Sequence, residues 1–376
     1  MNSVCILTSA HPVDDTRILH KEARTLEENG YDVSVIAHHD QDKIQHNINV
    51  RSVKHANSHF DRLIDLPKMY KLARDLDTDF YHFHDPGLLP VGAALAVRTD
   101  AKIIYDCHEQ YDISFQDYDF PPDVFNPFFE HIFPHVQSGF CQPLDAVIAA
   151  TEWIQDDFEQ LGHDSVQLVR NFPITEGVEI NTADINRAHD FVLVYVGGLT
   201  LTRGVHRMVE VLKLLRDAGV DTGLWLLGPF NNTDTETRVK NYVQNHGLTD
   251  AVRFFGRVEH SRVFSYLAAA DVGLALLDPG PYEYGVPTKM FEYMYSQIPV
   301  VASDTPANQA YLPSDCGKIV PYDDPQAIAT VLEGLSQYPT RRKSMGTAGR
   351  QKVENEYSWE NEQHSLLEIY DRLASQ

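Results

Sequence analysis

The sequence predicts two doubly wound α/β domains in tandem. Its 376 residues exceed the length at which a single core usually stops growing, and 43% of them are hydrophobic. Short apolar strands alternate with segments of helical period, which is typical of parallel sheets covered by helices. The alternation restarts after residues 174–190, a polar and aperiodic stretch. We therefore expect a first domain at 1–173, a linker at 174–190, a second domain at 191–356 and a last amphipathic helix at 357–376.

Strand–helix–strand units fill the first domain. The apolar strand SVCILT leads through the loop HPVDD into a helix that Asp15 or Thr16 caps and that runs to about Glu28. Gly30 ends this helix before the strand YDVSVIA. The same alternation gives a helix near Pro67–Leu76 and then the segments DFYHFHD (strand), GLLPVGAALAVR (helix), AKIIYDCHE (strand), LDAVIAAT (strand), TEWIQDDFEQLG (helix) and VQLVRNFP.

The second domain repeats the pattern from the strand FVLVYVGG. Its further predicted elements are HRMVEVLKLLRDAG (helix), GLWLLG (strand), a helix near 235–246, AVRFFG (strand), SRVFSYLAAA (helix), DVGLALL (strand), TKMFEYMYS (helix), IPVVAS (strand) and helices near 325–337 and 340–356. Ligands of such sheets bind beyond the carboxyl ends of the strands, and with two domains the crevice between them is the expected active site. The residues at such strand ends are His84, His108, Gly197, Gly228, Gly256 and Asp278.

The composition argues against a nucleic-acid-binding protein. The formal net charge is −23, from 54 Asp and Glu against 31 Lys and Arg, whereas binding to nucleic acid needs a basic surface. Asp outnumbers Glu 34 to 20, and only 12 residues are Lys. Between an ordinary acidic protein and one adapted to high salt, where surface carboxylates are screened from one another, we favour the second.

We expect a cytoplasmic protein with reduced cysteines. The opening MNSVCILT lacks the basic and apolar regions of a signal peptide, and no apolar run approaches the ~20 residues that span a bilayer. The four cysteines lie far apart, without metal or disulfide spacing. No Lys or Arg lies between Lys102 and Arg170, so contact with the inner membrane face would be peripheral at most. An apolar lip for acceptor or membrane, or alternatively core, is predicted for Phe125, Phe128, Phe129 and Phe133.

The segment VGGLTLTRG predicts an anion site. A strand ends in Gly197 and Gly198, and Arg203 follows just before the next helix. Backbone amides at the glycines, a cation and a helix start favour a phosphate group. The alternative is a tight turn with a surface arginine. The segment matches neither the dinucleotide fingerprint nor the P-loop spacing, which argues against a dinucleotide or ATP.

A second ligand segment is YEYGVPTKMFEYM. Pro287 fits the first turn of a helix, where the free amides of Thr288 and Lys289 and the Lys289 ammonium favour a phosphate. Glu292 lies on the same face one turn deeper, and a carboxylate there accepts two hydrogen bonds from a vicinal diol such as ribose. The alternative is an i,i+3 ion pair on a surface helix, worth roughly a few tenths of a kcal/mol.

No metal site is expected. His38, His39, His82 and His84 are interpreted as loop or strand residues, because the sequence places no third and fourth ligand beside them. His82 and His84 alternate with Phe83, so only one face of their strand can reach a ligand. No Asp-x-Asp carboxylate pair follows a strand of the second domain.

Seven motifs together resemble the family 4 retaining glycosyltransferases, which have the GT-B fold. They are HPVDDTRILHKEARTL, FHDPGLLP, IIYDCHE, VGGLTLTRG, VRFFGRV, GVPTKMFEYMYSQIPVVAS and the terminal YSWE, and they cover essentially the whole chain. The resemblance implies two Rossmann-like domains facing a central cleft, with the last helix crossing back to the first domain. It also implies a nucleotide-diphospho-sugar donor held mainly by the second domain, with no metal or other cofactor.

The resemblance also implies roles for single residues. Glu292 matches the second glutamate of the family's E-x7-E motif and is expected to bind the ribose. Arg203 matches the basic residue that binds the diphosphate. The loop that packs on the base is matched by Gly256, Arg257 and Val258.

Two positions depart from the family pattern. The first motif glutamate falls on Tyr284, one residue after Glu283, so both side chains are candidates for its role. The family often has Arg after the first glycine of its loop, where this chain has Gly198. We expect Lys289 to replace the missing cation.

The implied reaction is transfer of a hexose, with retention of configuration, from a UDP- or GDP-sugar to a glycan or polyprenyl-linked acceptor. Arg203, Lys289 and helix amides would stabilise the departing diphosphate, which would itself take the acceptor proton. His108, which matches the histidine that contacts the transferred sugar, and Glu109 would position that sugar. Candidate acceptor contacts, for which capping and surface charge are the alternative, are His11, Asp14, Asp15, Arg17, Lys21, His84 and Asp85.

Two other functions remain open on the sequence alone. A nucleotide-sugar epimerase of the same fold would convert the donor without an acceptor. A non-catalytic sugar-nucleotide-binding protein is consistent with the departure at Tyr284. Incubation with labelled donors separates transfer, isomerisation and binding without turnover.

Overall fold

The computed structural model describes residues 2–54, 59–108 and 126–376. These residues form two compact units, each built on one mainly parallel sheet. Unit 1 comprises Met1–Asn171 and Glu362–Gln376, and unit 2 comprises Phe172–Asn361. The predicted fold class, two Rossmann-like α/β domains in tandem, is confirmed.

Unit 1 has an eight-stranded sheet at its centre. Its strands are β1 Ser3–Leu7, β2 Asp32–His38, β3 Lys43–Gln45, β4 Ile48–Val53, β5 Phe80–Phe83, β6 Lys102–Cys107, β7 Ala146–Ala149 and β8 Val166–Leu168. The spatial order is β3-β4-β2-β1-β5-β6-β7-β8, and neighbours run parallel except β3 and β4. The order reverses between β1 and β5, so their carboxyl ends form the topological switch point, where ligands of such sheets bind.

The helix after the first strand is partly a π-helix. Its bounds are Thr16–Ala23, and it continues directly into α1, Arg24–Glu28. Asp15 caps it, because its carboxylate accepts hydrogen bonds from the backbone N–H groups of Arg17 and Ile18 at 2.8 and 3.1 Å. The sequence predicted one α-helix over this range. The wider π-turns are rare and are often found at functional sites.

The remaining helices of unit 1 surround the sheet. They are α2 His59–Leu76, a 3-10 turn at Pro86–Leu88, α3 Leu89–Arg98, α4 Asn126–Cys141, α5 Glu152–Gln160 and, from Glu362 onward, α14 Trp359–Ala374. The apolar stripe of α14 is buried, as its amphipathic pattern predicted, at Leu366, Ile369, Tyr370 and Leu373.

Three features of unit 1 were not predicted, and one of them is the helix α4 between β6 and β7. β3 and β4 form a hairpin whose turn residues, His46 and Asn47, have φ of 52° and 61°. His-Asn is a weak turn signal beside the usual Asn-Gly or Asp-Gly, although Asn tolerates this left-handed region. α2 begins at His59 and contains Pro67, where the sequence had placed the helix start. A proline inside a helix removes one backbone donor, but here the flanking turns continue the helix.

Unit 2 has a six-stranded parallel sheet. Its strands are β9 Phe191–Val196, β10 Thr222–Leu227, β11 Val252–Gly256, β12 Val272–Ala275, β13 Val300–Ser303 and β14 Gly317–Val320. The spatial order is β11-β10-β9-β12-β13-β14, which is the order of dinucleotide-binding sheets, with the switch point between β9 and β12. The four inner strands, β9, β10, β12 and β13, are almost fully buried and mainly apolar, as expected when both faces are covered, whereas the edge strands β11 and β14 are partly exposed.

Eight complete helices belong to the described part of unit 2. They are α6 Val205–Asp217, α7 Thr233–Asn245, α8 His260–Ala269, α9 Pro279–Tyr282, α10 Thr288–Tyr295, α11 Pro306–Tyr311, α12 Pro325–Gln337 and α13 Pro339–Asn355. The short β14, α9 and α11 were not predicted, because a few residues do not establish a period. Residues 174–190 contain no helix or strand, and several backbone hydrogen bonds hold them to unit 2, among them Asn181 N–H to Ser265 Oγ and Thr175 N–H to Glu360 Oε1, both at 2.9 Å. Among the described residues, no helix combines the length and apolar character that crossing a membrane requires.

Candidate functional site

The switch point of unit 2 is held together by Tyr293 of α10. Its hydroxyl accepts a hydrogen bond from the Val196 N–H at the end of β9 and donates one to the Leu274 carbonyl of β12, both at 3.1 Å. Gly273 of β12 makes room for it, since a Cβ there would overlap the Tyr293 ring. α10, the predicted ligand helix, is therefore fixed at the edge of the sheet where ligands bind.

Three predicted donor-binding glycines lie side by side at the carboxyl ends of β9, β10 and β11. φ is +133° at Gly197 and +148° at Gly228, a region that residues with a side chain rarely adopt. A Cβ at Gly228 would overlap the Gly197 carbonyl oxygen. Gly256 extends this contact, because it forms an isolated bridge with Gly228. The glycines thus allow three strand ends to approach closely, and the Gly197 N–H donates to the Leu227 carbonyl at 2.9 Å.

Two cations converge on the glycine pair. A guanidinium nitrogen of Arg203 lies 3.4 Å from the point where a Gly198 Cβ would be. The Cε of Lys289 lies 3.5 Å from the corresponding point at Gly197. The Lys289 Nζ is 5.5 Å from the centroid of the Tyr195 ring, within cation–π distance. Arg203 comes from the loop after β9 and Lys289 from the first turn of α10, so two ligand segments that are 86 positions apart meet here.

The Lys289 ammonium is destabilised in the free protein. Its pKa is lowered to about 8, mainly by burial and also by the positive charge of Arg203, while the Glu292 carboxylate partly opposes both effects. Two like charges held this close indicate a site for an anion, which would relieve their repulsion. The predicted role of Lys289 as a second phosphate cation is consistent with this placement.

Arg203 is positioned by tyrosine hydroxyls. Its Nε donates to Tyr282 Oη at 3.2 Å, and its backbone N–H donates to Thr200 Oγ1 at 3.1 Å. Burial works against its charge, but the hydroxyls of Tyr282 and Tyr195 raise the pKa of Arg203 overall. Neutral partners hold the side chain without consuming its charge, which leaves that charge for a ligand.

The remaining predicted donor residues lie at the rim of the same sheet edge. Pro287 is the N-cap of α10 and makes no side-chain cap, so the amides of its first turn are not capped by that residue. Thr288 and Glu292 are half-buried on this helix. In the segment that follows β11, Arg257 is exposed and Val258 is half-buried.

Glu283 and Tyr284, the two candidates for the first motif glutamate, interact with each other. The negative charge of Glu283 is the main reason that the pKa of Tyr284 is raised, with burial and a hydrogen bond to Glu283 adding to the effect. Glu283 is exposed and Tyr284 is half-buried. Both side chains thus lie in the loop between α9 and α10, and their relative roles stay a prediction.

The switch point of unit 1 is organised by Asp85. Its Oδ2 accepts hydrogen bonds from Thr8 Oγ1 at 2.9 Å, from the Ala10 N–H at 3.0 Å and from the Ser9 backbone. Asp85 follows β5 and is 2% exposed, and its three partners follow β1. The predicted acceptor-side residue Asp85 therefore ties together the ends of the two strands at which the sheet order reverses.

A histidine chain connects this carboxylate to β6. His108 Nδ1 lies 3.2 Å from Asp106 Oδ1, and His108 Nε2 lies 3.2 Å from His11 Nε2. His11 Nε2 also lies 3.4 Å from Asp85 Oδ1. Because Asp106 is a carboxylate acceptor, the hydrogen-bond network assigns the His108 proton to Nδ1 and the proton between the two Nε2 atoms to His11. The chain fixes the orientation of His108, the residue that the resemblance assigns to the transferred sugar.

Arg17 and His84, like Asp85, are buried rather than displayed at the surface. Arg17 is 2% exposed, and its Nη2 donates to Asp106 Oδ2 at 2.6 Å and to the Val169 carbonyl at 3.0 Å. His84 has no exposed surface. Although burial opposes it, the charge of Arg17 is the main factor that holds the pKa of Asp106 well below its usual range. Burial and the charge of Asp106 raise the pKa of Glu22.

The other acceptor-side candidates differ in exposure, and Lys21 is buried at 3% exposure. Asp14 is exposed, Asp15 serves as the helix cap, and Lys21 donates to Asn171 Oδ1 at 2.5 Å. Capping, which the sequence analysis named as the alternative role, is thus the observed role of Asp15. Glu109 and Phe125 lie outside the described residues, and of the helix residues Phe128 and Phe129 only the backbone is described.

Two family models match the chain and together span most of it. The model for Glycosyltransferase Family 4 matches residues 16–173, and the model for Glycosyl transferases group 1 matches residues 190–337. The chain belongs to the group 1, family 4 type of glycosyltransferases. The resemblance stated from the motifs is therefore confirmed.

Curated relatives of this glycosyltransferase match it over part of their length. It is 28% identical over 182 residues to the amylovoran biosynthesis glycosyltransferase AmsK of Erwinia amylovora, which is 48% of this chain and 44% of that protein. It is 25% identical over 243 residues to the GDP-mannose-dependent alpha-(1-6)-phosphatidylinositol dimannoside mannosyltransferase of Mycobacterium tuberculosis, covering 61% and 58%. The chain thus spans about half the length of these relatives.

Solved structures show that the glycosyltransferase has the GT-B fold. Sucrose-phosphate synthase from Thermosynechococcus elongatus gives a TM-score of 0.81 at 17% identity, with 100% of both chains covered. Anabaena HepE in complex with UDP-glucose gives a TM-score of 0.76 at 16% identity, also with 100% of both chains covered. At these identities the likeness establishes the fold alone.

Several site residues of the glycosyltransferase were not found from the sequence. Tyr195, Tyr282 and Tyr293 contact Lys289, Arg203 or the strand ends, and the sequence analysis assigned none of them a role. Their signal was weak, because a tyrosine at the end of a strand or in a helix is usually interpreted as core. Two buried acids of unit 1 were also missed. An acidic residue on an amphipathic helix or a strand is usually interpreted as exposed, since nothing in the local sequence indicates its burial. The two acids are Glu22 and Asp106.

Proposed function

We propose that this chain transfers a hexose from a nucleotide-diphospho-sugar to a glycan or polyprenyl-linked acceptor with retention of configuration. The observation that carries the proposal is the convergence of Arg203 and Lys289 on the glycine pair at the switch point of unit 2. A diphosphate carries two negative charges that both cations can contact, together with the amides at the strand ends. Glu292 lies one turn along the same helix, at a distance that suits the ribose of the same ligand.

The relatives support a nucleoside diphosphate in this site. The mycobacterial relative uses GDP-mannose by its description, and HepE was solved with UDP-glucose and with UDP. We therefore propose a UDP- or GDP-sugar as the donor. The relatives also suggest the class of acceptor, since AmsK is described for amylovoran biosynthesis and the mannosyltransferase for a phosphatidylinositol mannoside. A cytoplasmic enzyme with peripheral contact to the membrane would reach such acceptors.

The proposed reaction breaks the bond between the sugar C1 and the β-phosphate oxygen and forms a bond from C1 to the acceptor oxygen. Arg203 and Lys289 stabilise the charge that develops on the leaving diphosphate, where preorganised donors have their largest effect. The acceptor hydroxyl attacks from the face that the diphosphate leaves, and its proton passes to a leaving phosphate oxygen. His108, held by Asp106, positions the sugar. With two cations at the diphosphate, we propose that transfer needs no metal ion at the donor site.

A donor screen tests the proposal directly. UDP-, GDP- and dTDP-sugars are added to the protein, and the melting temperature and the binding heat are measured, because a ligand that binds only the folded state stabilises it. We expect one nucleotide to stabilise the protein more than the others. Labelled donor is then incubated with and without acceptor, in the presence of a chelator. Isomerised donor without acceptor would indicate an epimerase, and binding without turnover would indicate a non-catalytic protein.

Replacement of Glu292 by Gln is expected to weaken nucleotide-sugar binding by about tenfold or more. The amide offers one acceptor oxygen and no charge in place of a carboxylate with two acceptors, and hydrogen bonds to charged groups contribute about 1.5–3 kcal/mol. Calorimetry with the full donor and with inorganic diphosphate makes the comparison. Diphosphate affinity should change little, because Glu292 is assigned to the ribose. Glu354→Gln, an exposed glutamate on α13, is the matched control. Equal loss of diphosphate binding would contradict the ribose assignment.

The roles of Glu283 and Tyr284 can be separated by a pair of conservative variants. If Glu283 carries the role of the first motif glutamate, Glu283→Gln lowers kcat at least about tenfold and Tyr284→Phe leaves it nearly unchanged. If Tyr284 has taken that role, the order reverses. We expect the first result, because a carboxylate accepts sugar hydroxyls and the hydroxyl of Tyr284 is engaged with Glu283. Normal turnover in both variants would show that neither side chain of this loop takes part in catalysis.

A further inference from the structure

Four buried side chains that can bind a metal ion meet at the carboxyl ends of β5 and β6. Glu22 comes from the π-helix, His82 from β5, His84 from the residue after it and Asp106 from β6. None of the four has exposed surface. One ligand atom from each lies within 4.8 Å of all the others. Only the two histidines could be recognised as candidate ligands from the sequence, because Glu22 is 60 positions away from His82.

The separations between these atoms suit a shared ion better than hydrogen bonds. Glu22 Oε2 lies 3.4 Å from His84 Nε2 and 3.7 Å from His82 Nε2, and Asp106 Oδ2 lies 3.9 Å from His82 Nε2. A hydrogen bond between such atoms is about 2.7–3.2 Å long. Ligands of a tetrahedral zinc ion, each about 2.0–2.2 Å from the metal, are about 3.3–3.6 Å from one another. The two histidine–Glu22 pairs already lie within a few tenths of an ångström of these separations, whereas the longest separation in the cluster, within 4.8 Å, would have to shorten by about 1 Å around an ion.

The facing atoms also lack hydrogen bonds, although Glu22 Oε1 forms an ion pair with Arg17 Nε at 2.9 Å. Within the described ranges, no hydrogen-bond partner exists for either carboxylate oxygen of Glu22, for His82 Nε2 or for either ring nitrogen of His84. Buried polar atoms are nearly always paired, and each exception needs an explanation. His82 Nε2 stays without a hydrogen bond in either tautomer, because its neighbours Glu22 Oε2 and Asp106 Oδ2 lie 3.7 and 3.9 Å away, while its Nδ1 is paired with the hydroxyl of Tyr370 at 2.9 Å.

The surroundings orient these atoms as the outer contacts of a metal site do. Tyr370 holds the ring of His82 through Nδ1 and turns Nε2 toward Glu22. Arg17 Nε lies 2.9 Å from Glu22 Oε1, which leaves Oε2 to face the histidines. Arg17 also donates to Asp106 Oδ2 at 2.6 and 3.1 Å, so Asp106 is already engaged. Glu22, His82 and His84 are thus the inner ligands, and Asp106 is an outer carboxylate.

The net charge of the cluster calls for a further positive charge, and the two candidates for it are a proton and a metal ion. Arg17 offsets one of the two carboxylates, so with neutral histidines the cluster carries one negative charge. A single proton on Glu22 would neutralise this charge, but it can bridge only one pair of the facing atoms. A divalent ion contacts Glu22 Oε2 and both imidazole nitrogens at once. The ion therefore accounts for more of the unpartnered atoms than the proton does.

We propose that Glu22, His82 and His84 bind a divalent transition-metal ion in unit 1, apart from the donor residues of unit 2. Two imidazoles and a carboxylate suit zinc, among the divalent metals that imidazole prefers. Two histidines at i and i+2 lie on one face of a strand, where both side chains reach the same point. The ion would join the π-helix to β5, next to Asp106 and the residue that Asp106 orients, His108. The proposal does not depend on the proposed sugar transfer.

Metal content of the wild-type protein is the first test. The full, untagged chain is stripped with a chelator, loaded with zinc, dialysed and analysed by elemental mass spectrometry. We expect about one zinc per chain and a melting temperature raised by at least about 3 °C over the stripped protein. Less than about 0.1 zinc per chain with an unchanged melting temperature would overturn the proposal in favour of a proton.

Matched variants locate the ion. Glu22→Gln keeps the side-chain volume and allows hydrogen bonds to the histidines, so it is expected to fold and to lose both the bound zinc and the zinc-dependent melting shift. His84→Ala should also lose the ion. His46→Ala, at an exposed turn of unit 1, should keep it. Full zinc retention in a folded Glu22→Gln protein would contradict the assignment. If His84→Ala does not fold, the wild-type and Glu22→Gln measurements still decide.

Discussion

Lys289→Ala is expected to weaken binding of the nucleotide-sugar donor by about one to two orders of magnitude. The ammonium is one of two cations beside the Gly197–Gly198 turn, and a hydrogen bond to a charged group contributes about 1.5–3 kcal/mol. Unlike Glu292→Gln, this variant should lose affinity for inorganic diphosphate and for the full donor alike, because Lys289 is assigned to the phosphates. Calorimetry with both ligands measures the effect.

The lowered pKa of Lys289 predicts that donor affinity depends on pH. The pKa of Lys289 in the free protein is about 8, below its ordinary value, because of burial and then the charge of Arg203. The charged ammonium is the form that binds phosphate. Affinity should therefore be nearly constant below about pH 8 and should fall as the pH rises above it, where donor binding must take up a proton. The Lys289→Ala protein should lack this decline.

Lys240→Ala is the matched control for Lys289→Ala. Lys240 lies on α7 of the same unit, is more than half exposed and forms an i,i+4 ion pair with Glu236. Its removal should leave donor affinity and its pH profile unchanged, since exposed pairs contribute little. A Lys289→Ala protein with wild-type affinity at pH 7 would show that Arg203 and the backbone amides hold the diphosphate alone.

Gly228→Ala is expected to destabilise unit 2 by at least about 3 kcal/mol and to abolish donor binding. The residue has φ of +148°, and a Cβ would overlap the carbonyl oxygen of Gly197. Backbone cannot swing away as the end of a side chain does, so β9 and β10 would have to separate at the point where Arg203 and Lys289 converge. Chemical denaturation gives the free energy of unfolding, and calorimetry on the folded fraction gives the affinity.

Gly247→Ala separates the effect of φ from the effect of contact. Gly247 also has a positive φ, +66°, but nothing lies within 4 Å of the position of its Cβ. Its substitution should cost about 1–2 kcal/mol, the ordinary cost of a left-handed residue, and should leave donor affinity unchanged. Equal destabilisation by both substitutions would mean that the approach of Gly228 to Gly197 contributes nothing beyond backbone conformation.

The fold was predictable because its evidence is local. Continuous apolar strands and amphipathic helices of ordinary length, such as FVLVYVGG and the helix 205–217, each have a period that can be counted within one segment. No such period can be counted in short elements, and for that reason the hairpin β3–β4 and the strand β14 were not predicted. The π-helix at 16–23 failed for another reason, because its wider turn leaves the apolar pattern of an α-helix largely intact.

The donor-site candidates were predictable only as residue types in a suitable pattern. Gly197, Gly198 and Arg203 share one strand-to-helix turn, so their proximity follows from the sequence. Their meeting with Lys289 does not, because it depends on the placement of α10 at the switch point, which Tyr293 fixes through two strand ends. The lowered pKa of Lys289 likewise arises from burial and from Arg203, neither of which is a property of its own segment.

The sequence by itself determined the fold class, most of the long elements and the family, since periodicity and motifs are carried by neighbouring residues. The tertiary structure alone decided which charges are buried together. Arg17 was expected at the surface for an acceptor, yet it lies between Glu22 and Asp106 with 2% exposure. Glu22 shares the π-helix with Arg17, but Asp106 comes from the distant strand β6, and the desolvation cost of each buried charge is offset only because the others are present. No local pattern records such an arrangement, and it is the arrangement from which the proposed metal site follows.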